Sequence, residues 1–220
     1  MDRIPEPELM LGREQAEAYS AADFSESNDR FVTLLREHLS NLPERGHALD
    51  LGCGPGDILF RFAKMFSSWK VDGIDASPVM LSIGRRRATA LHLDSRIELF
   101  EERLPVQELP RISYDLFFSN SLLHHLPDPA ILWSTIDQFS NAETSIFVMD
   151  LVRPESRDEA EELVERYAGN ESTVLRTDFF NSLLAAYRLE EIEEQLQGSS
   201  RFSFAVEMVS DRHVMIWRSA

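Results

Sequence analysis

The residues best suited to chemistry form a glycine-rich stretch at positions 50–56 (DLGCGPG). It follows a short apolar segment with the pattern of a strand and precedes a segment with the pattern of a helix. Glycines let the backbone turn sharply and let a ligand approach bare main-chain atoms, and the first N–H groups of a helix attract an anionic group. The sequence therefore predicts a ligand-binding turn between a strand and a helix.

The acids around this turn argue against a dinucleotide. A loop of the G-x-G-x-x-G type would need glycine at position 57, where the sequence has Asp57. A carboxylate at the start of the helix would repel a pyrophosphate, and Asp50 adds a second acid just before the turn. A ligand that carries both a cationic amine and a carboxylate fits better, because the amine can contact Asp50 and the carboxylate can contact the N–H groups of the turn.

A further acid follows the next predicted strand. Asp75 ends the stretch 71–75 (VDGID) and comes 19 residues after Gly56. A carboxylate at this place can accept hydrogen bonds from both hydroxyls of a ribose. The turn and the acid together indicate a nucleoside with an amino-acid tail as the ligand.

Alternating strands and helices position these residues at one edge of a sheet. Five strands are predicted, with helices at 58–66, 77–91 and 127–139, and the strands cover 47–51, 71–74, 97–100, 114–119 and 145–151. This alternation is typical of an α/β fold with a doubly wound, mostly parallel sheet and helices on both faces. Ligands of such sheets bind outside the carboxyl ends of the strands.

The last third of the chain has a different order. Helices are predicted at 155–168 and 178–187 with no strand between them, and a third helix at 189–196 precedes a hairpin of strands 201–209 and 213–217. The hairpin predicts that the sheet ends antiparallel. Helices at 153–187 either form a cap over a substrate or simply cover the sheet.

We expect one domain over residues 1–220. Its parts are a helical N-terminal segment or lid at 1–44, a cofactor-binding core at 45–151, a helical insertion and substrate cap at 153–187, and a final helix and hairpin at 188–220. A short helix is predicted near Gln15–Tyr19. Tyr19 and Phe24 either close over the cofactor or only anchor the segment.

Four motifs resemble those of the class I S-adenosylmethionine-dependent methyltransferases. They are 50–56 (DLGCGPG), 75–81 (DASPVML), 114–120 (YDLFFSN) and 123–128 (LHHLPD). The resemblance covers residues 45–151 and is nearest to the small-molecule enzymes that include quinone and sterol methyltransferases. It implies a Rossmann-like sheet of seven strands with an antiparallel last strand, S-adenosyl-L-methionine as the cofactor, and methyl transfer to a small molecule.

The resemblance also implies which residues hold the cofactor. By position these are Asp50, Gly52, Gly54 and Gly56 at the methionine tail, Asp75 at the ribose, Ala76 and Met80 beside the adenine, and Asn120 at the methionine end. Relatives often carry Gly-Asp after the third strand, whereas this chain has Glu102 and Arg103 nearby. Either Glu102 accepts the adenine amine, or Arg103 stacks on the ring.

Methyl transfer from a sulfonium is an in-line displacement that an apolar, water-poor site favours. An oxygen or acidic-carbon acceptor must also lose a proton, and histidine suits that task at neutral pH. The expected topology brings His124 and His125 near Arg153 and His213. We expect His124 and His125 to be catalytic and Arg153 to clamp an acidic substrate, although each side chain also has an ordinary structural role open to it. No metal-binding motif is present, so no metal site is expected.

The charge and composition of the chain disfavour several classes of partner. The chain has 22 basic and 38 acidic residues and a net charge of −16, which disfavours nucleic-acid and anionic-membrane partners. No apolar run or leader pattern indicates a membrane helix or a secretory signal. The single cysteine, Cys53, fits a reducing compartment. We expect a cytoplasmic monomer or homodimer with a small-molecule substrate.

Three alternatives stay open. The same core serves methyltransferases of proteins and nucleic acids, but base- and glutamine-modifying relatives carry Asn/Asp-Pro-Pro-aromatic after the fourth strand, where this chain has 119–122 (SNSL). A second alternative is a non-catalytic scaffold or sensor that binds the cofactor. A third is the transfer of another group from the same cofactor.

Overall fold

The computed structural model describes residues 1–6, 16, 19–20, 22–199 and 201–220. Within them the strands are β1 His47–Leu51, β2 Lys70–Asp75, β3 Ile97–Glu101, β4 Leu116–Asn120, β5 Ser145–Leu151, β6 Ala205–Met208 and β7 His213–Arg218. The α-helices of the same residues are α1 Ser25–His38, α2 Asp57–Met65, α3 Pro78–Ala90, α4 Ala130–Phe139, α5 Arg157–Ala168, α6 Thr173–Ala185 and α7 Leu189–Ser199. A 3-10 turn, Leu123–His125, follows β4.

The strands form one seven-stranded sheet in the order β3-β2-β1-β4-β5-β7-β6. Strands β1 to β5 pair in parallel, and β7 pairs antiparallel with both β5 and β6. The prediction of a mostly parallel sheet with an antiparallel end is confirmed. Because the chain leaves β1 for β2 on one side and β4 lies on the other, a crevice opens where the strand order reverses.

Helices cover both faces of the sheet, as predicted. On one face α1, α2 and α3 bury apolar side chains such as Phe31, Phe62 and Leu81 in a single cluster. On the other face α4 and α7 do the same with Trp133 and Ile192. Strands β1, β4 and β5 supply residues to both clusters, since their side chains alternate between the two faces.

The helices α5 and α6 pack on each other in a separate small cluster that includes Leu151 at the end of β5. The first residues of the chain run across the end of α6, where the Ile4 N–H donates to Leu184 O at 3.0 Å. The helix predicted near Gln15–Tyr19 falls largely outside the described residues. No helix in the described part of the chain has the length and apolar character needed to cross a membrane.

Two elements begin well away from the predicted positions. Helix α6 begins at Thr173 rather than at 178, because the Ser172 hydroxyl caps it by accepting the Leu175 N–H at 3.4 Å. Strand β6 begins at Ala205 rather than at 201. Phe202 and Phe204 pack against the cluster that contains α4 and α7 instead of extending the strand.

Gly73 in β2 allows the glycine-rich turn to pack closely on the sheet. A Cβ at this position would lie 2.7 Å from Leu59 Cδ1 and 2.8 Å from Cys53 Sγ, so Gly73→Ala must displace both side chains. We expect this substitution to lower the free energy of unfolding by about 1–3 kcal/mol in urea titrations. The exposed Gly198 in α7 would meet no atom within 4 Å, and Gly198→Ala should cause no loss. Equal stability of the two variants would contradict the packing argument.

Candidate functional site

A cavity of about 590 Å³ lies at the carboxyl ends of the parallel strands. Its wall is built from the glycine-rich turn, the ends of β2 and β4, the helices α1 and α6, and the turn between β6 and β7. The structure brings the predicted site residues to this wall, except Gly56 and Arg153.

The glycine-rich turn lies between β1 and α2. Gly52, Gly54 and Gly56 have φ values of 74°, 52° and 87°, a region that favours glycine. The N–H groups of Gly52 and Cys53 donate to Ile74 O at 2.9 and 3.0 Å, which fastens the turn to β2. A Cβ on Gly54 would meet no atom within 4 Å, so the space above this residue is open to a ligand. Gly56 instead lies at the end of the turn, where it is the N-cap residue of α2.

Asp75 joins the end of β2 to the turn. Its Oδ2 accepts the Gly54 N–H and its Oδ1 accepts the Ser77 N–H, both at 2.8 Å. Burial raises the pKa of Asp75, and these two hydrogen bonds oppose the rise. The carboxylate lines the cavity and keeps further acceptor capacity there, since each ionised oxygen can accept more than one hydrogen bond.

Asp50 and Asn120 place two buried acceptors on the same wall. Asp50 is 2% exposed, and burial, followed by the charge of Asp75, raises its pKa well above the usual range. The Oδ1 of Asn120 is buried and has no hydrogen-bond partner among the described residues. A bound ammonium group would satisfy the Asn120 oxygen and compensate the Asp50 charge, so these residues fit the amine of a methionine tail.

The far end of the cavity suits a flat ring. Ala76, Met80, Glu102 and Arg103 line it, and the Glu102 N–H donates to Asp75 O at 3.1 Å. Tyr19, from the N-terminal segment, covers this end. Burial, followed by the charges of the nearby acids, raises its pKa to about 12. The tyrosine is therefore neutral and adds an apolar ring to the wall.

Asp150 holds the His124 ring through the Nδ1 atom. The ring is buried, and its Nδ1 lies 2.5 Å from Asp150 Oδ1; Asp150 Oδ2 accepts the Leu123 N–H at 2.7 Å. Burial lowers the pKa of His124, but the charge and hydrogen bond of Asp150 outweigh it, so the net shift is upward. Burial raises the pKa of Asp150, but His124 and two backbone N–H groups lower it more. The pair orients the histidine ring and fixes which nitrogen faces the site.

Glu6 completes this group, and sequence reasoning missed it. Its Oε1 lies 3.5 Å from His124 Nε2, 3.1 Å from His125 Nδ1, and 3.0 Å from the donating Ser182 hydroxyl. Burial raises the pKa of Glu6, but the two histidines and Ser182 lower it more. Glu6 is one acid among many in a polar segment, and no motif marks it, so only the fold reveals its place.

Arg153 lies outside the cavity wall. The side chain is 4% exposed; its Nη1 donates to Ala186 O at 2.8 Å and its Nη2 pairs with Glu191 at 2.6 Å. The guanidinium therefore ties β5 to the start of α7. The structure gives Arg153 no contact with the site at which the sequence placed it.

The turn between β6 and β7 forms the opposite wall with His213 and Arg212. The His213 Nδ1 lies 3.0 Å from the Ser210 hydroxyl. Burial, followed by the charge of Arg212, lowers the pKa of His213 to about 4. This imidazole is therefore neutral at physiological pH. The Arg212 guanidinium lies over the Tyr167 ring at 3.3 Å from its centroid, so α5 and the turn meet at the cavity.

Comparison with known proteins gives the same picture. The profile of a family described as a methyltransferase domain matches residues 49–143. A trans-aconitate 2-methyltransferase of Sinorhizobium medicae is 31% identical over 121 residues, which cover 54% of this chain and 44% of the relative. The ubiquinone/menaquinone biosynthesis C-methyltransferase UbiE of Rhodopseudomonas palustris is 34% identical over 90 residues, 40% of this chain and 35% of the relative. The matched part thus spans less than half of these relatives.

A solved structure resembles the fold over almost its whole length. The plantazolicin methyltransferase BpumL, crystallised with SAH, has a TM-score of 0.70 and 15% identity, and the match covers 94% of this chain and 90% of that one. The matched family, the relatives and the geometry of the glycine-rich turn agree with one another. Residues 49–143 therefore match a methyltransferase domain, and the whole fold is like that of a solved methyltransferase structure.

Proposed function

We propose that this protein transfers a methyl group from S-adenosylmethionine to a small organic acceptor. The observation that carries the proposal is the buried Asn120 Oδ1, which shares a cavity wall with Asp50 and has no hydrogen-bond partner in the described part of the chain. The two acceptors share a cavity with the open face of Gly54 and with Asp75. This set of groups can bind an amine and a nucleoside sugar, with open space between the two.

The chain's own residues would hold the cofactor at three points. Asp50 and Asn120 would bind the amine, and Asp75 would accept the ribose hydroxyls while it keeps the turn in place. Ala76 and Met80 would pack on the adenine, with Glu102 or Arg103 at its edge. When bound, S-adenosylmethionine supplies an electrophilic methyl group on a positively charged sulfur.

The acceptor side of the cavity combines apolar and polar groups. Phe24, Leu126, Met149, Leu151 and Phe179 line it, and they would exclude water from the transfer path. Alignment of donor and acceptor within this space would supply much of the rate. Helices α5 and α6 contribute to the wall, which supports our proposal that the stretch 153–187 caps the substrate.

An acceptor with an O–H or acidic C–H group must lose a proton. We assign this task to His124 and His125, because both line the cavity and Asp150 orients the His124 ring. A histidine ring would take the proton that leaves the acceptor. The Glu6 carboxylate, which faces both histidines, would share that proton. Arg153 has no part in this proposal, since its guanidinium binds Glu191.

The relatives' names, one acting on trans-aconitate and one in quinone biosynthesis, favour a small organic acceptor over a macromolecule. The net charge of −16 favours the same choice over nucleic acid. We keep the expectations of a cytoplasmic location and of a monomer or homodimer as part of this proposal.

Isothermal titration calorimetry with S-adenosylmethionine and with S-adenosylhomocysteine tests the cofactor site. Transfer of a labelled methyl group to a small-metabolite fraction, with none to RNA, DNA or protein, tests the reaction. Binding without any transfer would favour a cofactor-binding scaffold, and the absence of binding would remove the proposal altogether.

Asp75→Asn should weaken S-adenosylhomocysteine binding by at least about 10-fold, since the amide replaces a charged acceptor of the ribose hydroxyls with a neutral group that has only one acceptor oxygen. Calorimetry measures the dissociation constant. Asp94→Asn is the matched control, because Asp94 bonds Thr89 away from the cavity and its loss should leave affinity unchanged. Equal affinities of the two variants would show that Asp75 does not hold the ribose.

His213 makes the stability of the folded chain depend on pH. Because its folded pKa of about 4 lies below the ordinary value near 6.5, the unfolded chain binds the proton more readily. The contribution of His213 to the free energy of unfolding is therefore at its maximum above about pH 6.5. It falls by roughly 2–3 kcal/mol as the pH drops towards 4. His213→Gln should flatten this part of the curve in urea titrations at several pH values. His92→Gln, outside the cavity wall, should keep it; an unchanged curve for His213→Gln would refute the neutral histidine.

A further inference from the structure

We propose that Glu6, His124 and His125 form a binding site for a divalent transition-metal ion, with Zn²⁺ the best match. The carboxylate oxygen lies 3.1 Å from His125 Nδ1 and 3.5 Å from His124 Nε2, and the three donor atoms all lie within 4.8 Å of one another. Ligands of a tetrahedral zinc ion, at about 2.0–2.1 Å from the metal, are about 3.4 Å apart. The three side chains thus already stand close to the spacing of a metal-bound set.

The orientation of His124 is that of a metal ligand with a supporting carboxylate. Its Nδ1 faces Asp150 Oδ1 at 2.5 Å, and Asp150 otherwise accepts only backbone N–H groups, from Leu123 and Leu151. The proton between ring and carboxylate therefore belongs on Nδ1. In the neutral ring Nε2 then directs a lone pair at the Glu6 oxygen. Either a proton or a metal ion can lie between this nitrogen and the Glu6 oxygen, and a histidine held by a carboxylate is the usual metal-binding arrangement.

His125 supplies an independent observation. Its Nδ1 is buried and makes no hydrogen bond of normal geometry within the described residues, although the Glu6 oxygen is only 3.1 Å away. A buried nitrogen without a hydrogen-bond partner costs stability. A metal ion among the three donors would bind this nitrogen and remove that cost.

The local charges suit a doubly charged ion. Glu6 and Asp150 bring two negative charges, and both histidines are ligands in their neutral form. The Arg3 guanidinium is the nearby cation, but it is directed at the backbone carbonyls of His124 and Leu126, at 2.9 and 3.1 Å. Two imidazole nitrogens and one carboxylate favour Zn²⁺, Co²⁺ or Fe²⁺ over Mg²⁺ and Ca²⁺, which prefer oxygen donors alone.

Three protein ligands leave at least one coordination position open. Because His124 and His125 line the cavity, an oxygen atom of the acceptor can take that position, and the metal would lower its pKa. In the metal-bound chain this role of the ion would replace proton removal by the two histidines. It rests on the proposed methyl transfer, whereas the metal site itself does not. The ion would also fasten residues 1–6 to the wall of the cavity, because Glu6 belongs to that segment.

The test uses the full chain without a histidine tag, freed of metal by chelator and dialysis. Zn²⁺ titration by calorimetry should give one ion per chain with a dissociation constant in the micromolar range or below. Co²⁺ should give visible d–d absorption without a thiolate charge-transfer band, since the single cysteine, Cys53, is not a ligand. Glu6→Gln and His125→Gln should each weaken binding at least 10-fold, while His38→Gln and His92→Gln should not.

The variants must stay folded for this comparison, which their melting temperatures and S-adenosylhomocysteine binding report. Absence of a tight Zn²⁺ site in the unmodified chain, or a site that survives both Glu6→Gln and His125→Gln, overturns the proposal. Measuring S-adenosylhomocysteine without metal separates the two ideas. Nucleoside binding without a metal site defeats only the metal proposal, and a metal site without nucleoside binding defeats only the proposed function.

Discussion

The Asp75 carboxylate connects the parts of the molecule on which the cofactor site depends. One oxygen accepts the N–H of Gly54 in the glycine-rich turn, and the other accepts the N–H of Ser77 at the start of α3. A single side chain thus joins the end of β2 to two helix starts. Burial raises the pKa of this carboxylate, and the two hydrogen bonds oppose that rise.

Two other buried acids, Asp50 and Asp150, differ in how their surroundings affect their charge. Asp50 lies in a setting that penalises its charge, whereas Asp150 is stabilised by His124 and two backbone N–H groups. The first carboxylate is suited to a cationic ligand, and the second is already fully used in holding a ring. Two buried acids of the same sheet therefore have different roles because their partners differ.

The sheet and the glycine-rich turn could be predicted from the sequence, because both depend on local patterns. Alternating apolar strands and helices define the parallel sheet, and the glycines at 52, 54 and 56 are needed for a backbone turn with positive φ. Strand β6 was predicted too long, since nothing in 201–204 shows that Phe202 and Phe204 pack on the helices.

The acceptor side was predicted less well, because it depends on contacts between distant segments. Glu6 reaches the histidines only through the path of the N-terminal segment across α6. Arg153 follows β5 as expected, but its guanidinium turns to Glu191, on α7. Pairings of this kind are decided by tertiary packing, and no spacing rule in one sequence reveals them.

The cavity is built from residues both inside and outside the matched stretch. The glycine-rich turn, Asp75 and the two histidines lie within the matched stretch 49–143, whereas Tyr19, α6 and the turn before β7 lie outside it. Substitutions outside residues 49–143 can change the cavity while the glycine-rich turn and Asp75 keep their geometry. Similarity within residues 49–143 therefore carries little information on which small molecule the rest of the cavity admits.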